Sequence, residues 1–276
     1  MPVNEAIEEA NRRGILGSAS LMVGAPAAQD AILRARRLPA LNVGLHLVLV
    51  RGRPVLPPGK IPSLVDGAGR FRDGLVRAGF RMFFLPAARR QLKAEIRAQF
   101  EAFRETGLRL DHVNAHNHMH LHPTILGLVL QVGREYGLPA VRFPYEPFFP
   151  SCRAAGEGMP RRLLMRIFLA PWTGLMRIRL SRNNVPCNDF LFGLHDTGRM
   201  GKDRVLQLLA HLPQGVSEMY FHPAVTGWGE PSMEGLRPER ELEALLSREV
   251  AEALQANGIR STSYGDLKGG RLRRDP

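Results

Sequence analysis

The ten residues LNVGLHLVLV, Leu41–Val50, carry only two polar side chains, Asn42 and His46. A strand with one wet face alternates apolar and polar residues, whereas a strand buried on both faces reads as an almost unbroken apolar run. This run therefore calls for a parallel sheet with covering layers on both sides. The rest of the chain supplies them. Helical periodicity predicts helices over Val3–Arg13, Ala27–Arg37, Ala87–Thr106, Ile125–Tyr136, Val205–His211 and Glu239–Asn257. Strand patterns fall between them at Ser18–Val23, Leu110–Ala115, Pro139–Phe143, Val216–Phe221 and Ile259–Tyr264. Gly14 closes the first helix, and Pro26 and Pro123 open later ones. Strand–helix alternation of this kind predicts an α/β fold, either a (β/α) barrel or a doubly wound sheet. Two stretches break the rhythm, near 51–86 and 144–200. Both are expected to be insertions in a single domain over 1–267, followed by a disordered tail at 268–276. The first element is a helix, although an α/β barrel opens on a strand.

The formal net charge is +12, which draws a chain toward anionic partners. Charge alone does not choose among them. No nucleic-acid-binding motif or basic–aromatic groove accompanies it, so nucleic acid is not expected as a partner. Cys152 and Cys187 stand far apart without a CxxC, as reduced thiols in a cytoplasmic protein would. The N-terminus MPVNEAIEEANRRG has no apolar core of a signal peptide. The two long runs free of Asp, Glu, Lys and Arg, 14–29 and 112–133, are broken by turn residues or by histidine, and no transmembrane helix is expected. Nothing in the sequence sets an oligomeric state.

Five of the nine histidines lie in DHVNAHNHMHLHP, Asp111–Pro123. A single strand through all of them would span roughly 36 Å, too long for a barrel strand. The spacing instead predicts a strand ending near Ala115, a loop over His116–His122, and a helix from Pro123. His116 then sits at a strand's C-terminal end, where α/β barrels keep their active sites. His46 lies in the buried run, and His222 follows the strand pattern VSEMYF. Neutral imidazole is the commonest metal ligand. His46 and His116 therefore form a candidate metal pair, with the third ligand most simply a carboxylate. His118, His120 and His122 read as residues of the loop or supports of the ligands. The bland alternatives are a satisfied core histidine at His46 and a surface metal-scavenging tract at His112–His122.

Several segments together resemble one family, the YdjC-like carbohydrate deacetylases, and most closely its hopanoid-biosynthesis branch. They are VNEAIEEANRRGILGSASLMV, VGLHLVL followed by GRPVLPP, IPSLVDGAGRFRDG, LDHVNAHNHMHLHPTI, VRFPYEP, YFHPA and SYGDL. The resemblance implies a distorted (β/α) barrel that removes N-acetyl groups from amino sugars. It implies a divalent metal ion, magnesium or zinc, on one aspartate and two histidines, which fall on His46 and His116. It places His222 as a candidate general acid and Arg142 as a candidate substrate contact. Asn114 stands where many relatives carry aspartate, and accords with the hopanoid branch. The family opens on a strand ending in Asp-Asp-Phe-Gly, which supplies the carboxylate ligand and the base. This sequence starts at Met1-Pro2-Val3, past that motif. The expectation is a natural start further upstream, and an impaired enzyme for the chain as written.

Arg161–Arg182, RRLLMRIFLAPWTGLMRIRLSR, has six arginines and no acidic residue. A basic amphipathic helix suits an anionic membrane, here at the inner face, and a glycolipid substrate. A solvated helix packed on the barrel reads the same way. Three rival functions remain: a metal hydrolase of another amide or ester, a catalytically silent barrel that binds glycolipid or anionic membrane, and, least, a nucleic-acid binder.

Overall fold

A computed structural model describes residues 1–226 and 235–267; the tail expected at 268–276 lies outside the described residues. The fold is mixed α/β with parallel sheets. Strands β1 (Ser18–Leu21), β2 (Asn42–Leu47) and β3 (Leu110–Ala115) form one parallel sheet in that order. Strands β4 (Phe190–Phe192) and β5 (Ser217–Met219) form a second parallel pair. The 140–145 segment joins the two. Val113 N–H donates to Ala140 O and Arg142 N–H to Val113 O on one side. On the other side Val141 N–H donates to Pro186 O and Leu191 N–H to Tyr145 O. Asn188 acts as a second peptide here, accepting from Phe143 N–H at 2.7 Å and donating to Phe143 O at 2.9 Å.

The helices lie where periodicity puts them, with instructive differences. They are α1 (Pro2–Arg13), α2 (Ala28–Ala35), α3 (Leu75–Phe84), α4 (Pro86–Glu105), α5 (Pro123–Gly133), α6 (Phe148–Ala155), α7 (Met159–Arg182), α8 (Lys202–Leu209), α9 (Pro238–Leu246) and α10 (Arg248–Ala256). The long helix expected over Glu239–Asn257 is two, because Ser247 leaves the helical conformation and accepts from Val250 N–H as an N-cap. The strand expected over Pro139–Phe143 is reduced to a single parallel bridge at Val141, since two prolines bracket it and Asn188 takes one of its N–H groups. Ile259–Tyr264 is not a ladder strand, and it ends in a 3-10 turn at Tyr264–Asp266. The stretches read as insertions contain α3, α6, α7 and, unforeseen, β4.

The main core lies between β1–β3 and helices α4 and α5. Leu45, Leu47, Ile96, Phe100, Val113 and Val129 are all buried in it. Burying one such side chain stabilises by about 1.5–3 kcal/mol. A second core beneath β4 gathers Phe192, Val205, Leu208 and Val250. Helix α4 also carries polar groups inward. Gln99 accepts from Val48 N–H and donates to Val48 O, and Glu95 accepts from Val55 and Leu56 N–H. These bonds hold the chain just past β2, the end at which His46 lies.

Candidate active site

His46 and His116 come from neighbouring parallel strands, and their rings lie 5.7 Å apart, edge to face at 75°. His46 is in β2; His116 directly follows β3. Beyond it the chain makes a 3-10 turn over His116–Leu121, broken by Asn117 and His118, both at φ near +50°. Two successive non-glycine residues in the left-handed region are a local strain of a kind that clusters at functional sites. The turn carries His118 and His120 inward. His120 is fully buried and its Nε2 lies 2.9 Å from Arg142 O. These two are more deeply enclosed than a surface tract would be. His222 follows β5, with its ring 5.5 Å from that of Tyr220, and its backbone N–H donates to Glu241. The Nδ1 atoms of His118, His120 and His222 are buried without a hydrogen-bond partner among the described residues.

The electrostatics favour neutral rings. Burial lowers the His46 pKa to about 3, and coupling to His116 and the Arg142 charge push the same way. Burial likewise takes His120 and His222 to about 4 and His118 well below its ordinary value. His116 is lowered by burial and then by Arg51. Each imidazole therefore offers a lone pair at neutral pH, as a metal ligand must.

The orientation of the Asn114 amide, set within a hydrogen-bond relay, decides which nitrogen of His46 is free. Asp111 can only accept, so His112 Nδ1–H donates to it at 2.9 Å. His112 Nε2 then accepts from the Ser20 hydroxyl at 2.9 Å. Ser20 Oγ accepts from Asn114 Nδ2–H at 2.8 Å. Asn114 Oδ1 is left to accept from His46 Nδ1–H at 2.6 Å. In this orientation Nε2 of His46 is the acceptor. Turned over, the Asn114 amide satisfies more partners: its oxygen accepts from Arg142 Nη1 and Nη2 at 3.1 Å and from the Ser20 hydroxyl at 2.8 Å, and its nitrogen donates to His46 Nδ1. Gly44 makes room for this relay, because a Cβ there would lie 2.5 Å from the His112 ring.

Arg142, the expected substrate contact, is buried and bound to Glu218 through Nε and Nη2; only Nη1 makes no bond to that carboxylate. Its guanidinium also lies over the Tyr220 ring at 5.3 Å. Tyr264 donates to Glu218 and stacks on His112. Glu218, Tyr264 and Ser20 escape a reading of the sequence. Their one signal is a polar residue inside a strand or SYG pattern, which does not say what it faces.

Two imidazoles meeting on one ion at about 2.1 Å from each nitrogen would have ring centres about 5–6 Å apart, which this pair satisfies. Among the described residues there is no group of three His, Cys, Asp or Glu side chains suited to a metal ion. The spacing of His46 and His116 thus fits two members of a metal ligand set.

The fold and these neutral histidines at the strand ends define a parallel α/β protein with a polar, imidazole-lined site. The chain belongs to the YdjC-like protein family, whose family model matches residues 1–256. It is 26% identical over 268 residues to a carbohydrate deacetylase of Thermoanaerobacter pseudethanolicus, covering 96% of this chain and 94% of that one. A carbohydrate deacetylase of Vibrio vulnificus is 29% identical, covering 96% of this chain and 90% of the relative. One from Brevibacillus brevis is 42% identical over 143 residues, so the match spans about half of each chain: 52% of this one and 54% of the relative. Among solved structures, a putative cellobiose-phosphate cleavage protein of Enterococcus faecalis V583 superposes with a TM-score of 0.71 at 26% identity, covering 97% of this chain and 94% of that one.

Proposed function

We propose that this chain is a metal-dependent carbohydrate deacetylase, a hydrolase that cleaves the N-acetyl amide of an amino sugar. The observation that carries this reading is the facing His46–His116 pair, neutral at physiological pH and with His46 tied down through Nδ1. Names borne by relatives along nearly the whole chain support the same reaction. His46 and His116 would hold a divalent ion, magnesium or zinc. When bound, such an ion polarises the amide carbonyl and makes water acidic enough to attack. The carboxylate ligand and base are proposed to come from a strand paired along the outer edge of β1, which would close the arc into a distorted (β/α) barrel. β1 is the end strand of its sheet among the described residues.

In the reaction water adds to the carbonyl carbon and gives up a proton, the C–N bond breaks, and the nitrogen is protonated. Acetate and a free amine result. His222 is proposed as the proton carrier to nitrogen. At a pKa of about 4 it enters the reaction neutral, so it must take a proton before it gives one. Such general acid–base work contributes roughly 10²–10⁴-fold. Arg142 is proposed to meet the sugar through Nη1, held in place by Glu218. The sugar is proposed to be carried on a lipid of the hopanoid kind, processed in the cytoplasm at the inner face of the membrane.

The test is acetate release from a panel of free and lipid-linked N-acetylated amino sugars, by the protein isolated from its own cells. The reading expects release that is lost in His46→Ala and His116→Ala. Release unaltered by both substitutions would overturn it. The exposed apolar side chains of α7 favour one second reading, a silent barrel that binds glycolipid or anionic membrane. Glycolipid binding without acetate release across the panel would establish that alternative.

A further inference from the structure

Two segments of this chain turn large apolar side chains outward, and both lie beside the histidine turn. The first is α7. Its inner face buries Arg162, Thr173, Met176 and Leu180. Its opposite face leaves Leu164, Ile167, Phe168 and Ile178 between 51% and 67% exposed. A helix apolar on both sides is one that something else covers. The second is α3 and the residue after it, where Phe80, Phe84 and Leu85 are exposed. Thirteen of the sixteen exposed large apolar side chains among the described residues fall in these two segments. Soluble surfaces scatter such residues singly; a concentration of this kind marks an interaction site.

The placement is functional. Helix α7 packs on α5 and on the His116–Leu121 turn, and α3 also packs on α5. The Phe83 ring of α3 lies 6.0 Å from His122. Both helices therefore lie beside the segment that follows His116, α7 on the His116–Leu121 turn and α3 through Phe83 at His122.

Charge identifies the occupant. No Asp or Glu occurs from Gly74 to Ala94 or from Gly158 to Asn188, and these stretches hold five and six basic residues. Arg89, Arg90, Arg161, Arg166 and Arg182 are exposed and make no ion pair among the described residues. A second copy docked by the same face would set these arginines against their own images with no acid to answer them. An anionic lipid surface answers both features, taking apolar side chains into its acyl boundary and arginines onto its headgroups. No helix among the described residues is long and apolar enough to cross a membrane.

We propose that the exposed faces of α7 and α3 dock this protein on an anionic bilayer, so that the histidine site opens toward the membrane surface. The docking stands on the surface alone and does not depend on the deacetylase reading.

The test is flotation of the intact protein with vesicles of phosphatidylcholine, with and without phosphatidylglycerol, over a salt series. Binding is expected with phosphatidylglycerol, weakening as salt rises. The double variant Ile167→Glu/Phe168→Glu should bind roughly tenfold or more weakly. So should Phe80→Glu/Phe84→Glu, on the other segment. All four positions are exposed, and circular dichroism checks that the variants fold. Failure to float with either vesicle would overturn the proposal. So would a stable dimer that the same substitutions split and that ignores vesicles. Flotation without acetate release would leave docking standing and fail only the catalytic reading.

Discussion

Ser20 holds the middle of the relay, between His112 and Asn114. When it gives its proton to His112 it receives from Asn114. Without it the amide is free to turn toward Arg142 and present Nδ2 to His46 Nδ1. His46 would then carry its proton on Nε2, the atom a metal needs. Ser20→Ala is accordingly expected to weaken divalent-metal binding roughly 10–100-fold, as loss of a ligand's supporting partner does. Chelator competition measures that loss, and ¹⁵N chemical shifts of the His46 ring show the tautomer without any metal. A wild-type ring already protonated at Nε2 would refute the relay. The facing histidines His46 and His116 were legible, since each falls at or beside a strand pattern. Ser20 and Glu218 were not. A small or charged residue in a short strand does not reveal whether it faces water or an imidazole two strands away.

At the scale of elements, α7 is held by a charge cluster. Arg162 reaches Asp196 at 2.8 and 3.0 Å, Glu146 at 3.3 Å and Ser151 at 2.6 Å, and all four residues are buried. Glu146 in turn accepts from the backbone of Leu194 and His195, just past β4. One guanidinium therefore ties α7 to α6 and to the end of a strand. Arg162→Met would leave buried Glu146 without a cation among the described residues and Asp196 with only Arg204 at 3.7 Å, at a cost of about 3–5 kcal/mol. Urea unfolding measures it, and adding Glu146→Gln to that variant should recover part of the loss. A change below about 1 kcal/mol would mean water reaches these carboxylates. The sequence announced α7 through its apolar and basic run, but not that Arg162 alone among its arginines points inward to two acids. Long helices and the strands β1, β2 and β3 were readable because periodicity repeats over several turns or pairs. The three-residue strand β4 was hidden, because FLF between turns has no period to detect. The expected strand at Pro139–Phe143 failed for the opposite reason: its composition suits a strand, but its hydrogen bonds go mostly to Asn188 and to loop backbone.

For the whole molecule, the burial of so many neutral histidines makes folding depend on pH in a definite direction. His46 and His120 stay unprotonated down to about 3 and about 4, and burial also holds His118 well below its ordinary value. In the unfolded chain the same rings titrate near 6.5. Between those limits the unfolded state binds more protons, so stability is complete above pH 6.5 and is lost as the pH falls through the window. Each such ring contributes a slope of up to about 1.4 kcal/mol per pH unit. Glu146 and Glu241 act against this, because burial raises their pKa and the folded state then takes up protons before the unfolded one does. Two carboxylates do not balance a larger set of depressed histidines that also includes His116, His122, His195 and His222. The urea midpoint is therefore expected to fall steadily from pH 7 to pH 5, and His120→Gln should flatten that fall by about one proton's worth. A midpoint that holds constant or rises over the same range would show that the rings are protonated inside the fold, and the neutral ligand pair would go with them.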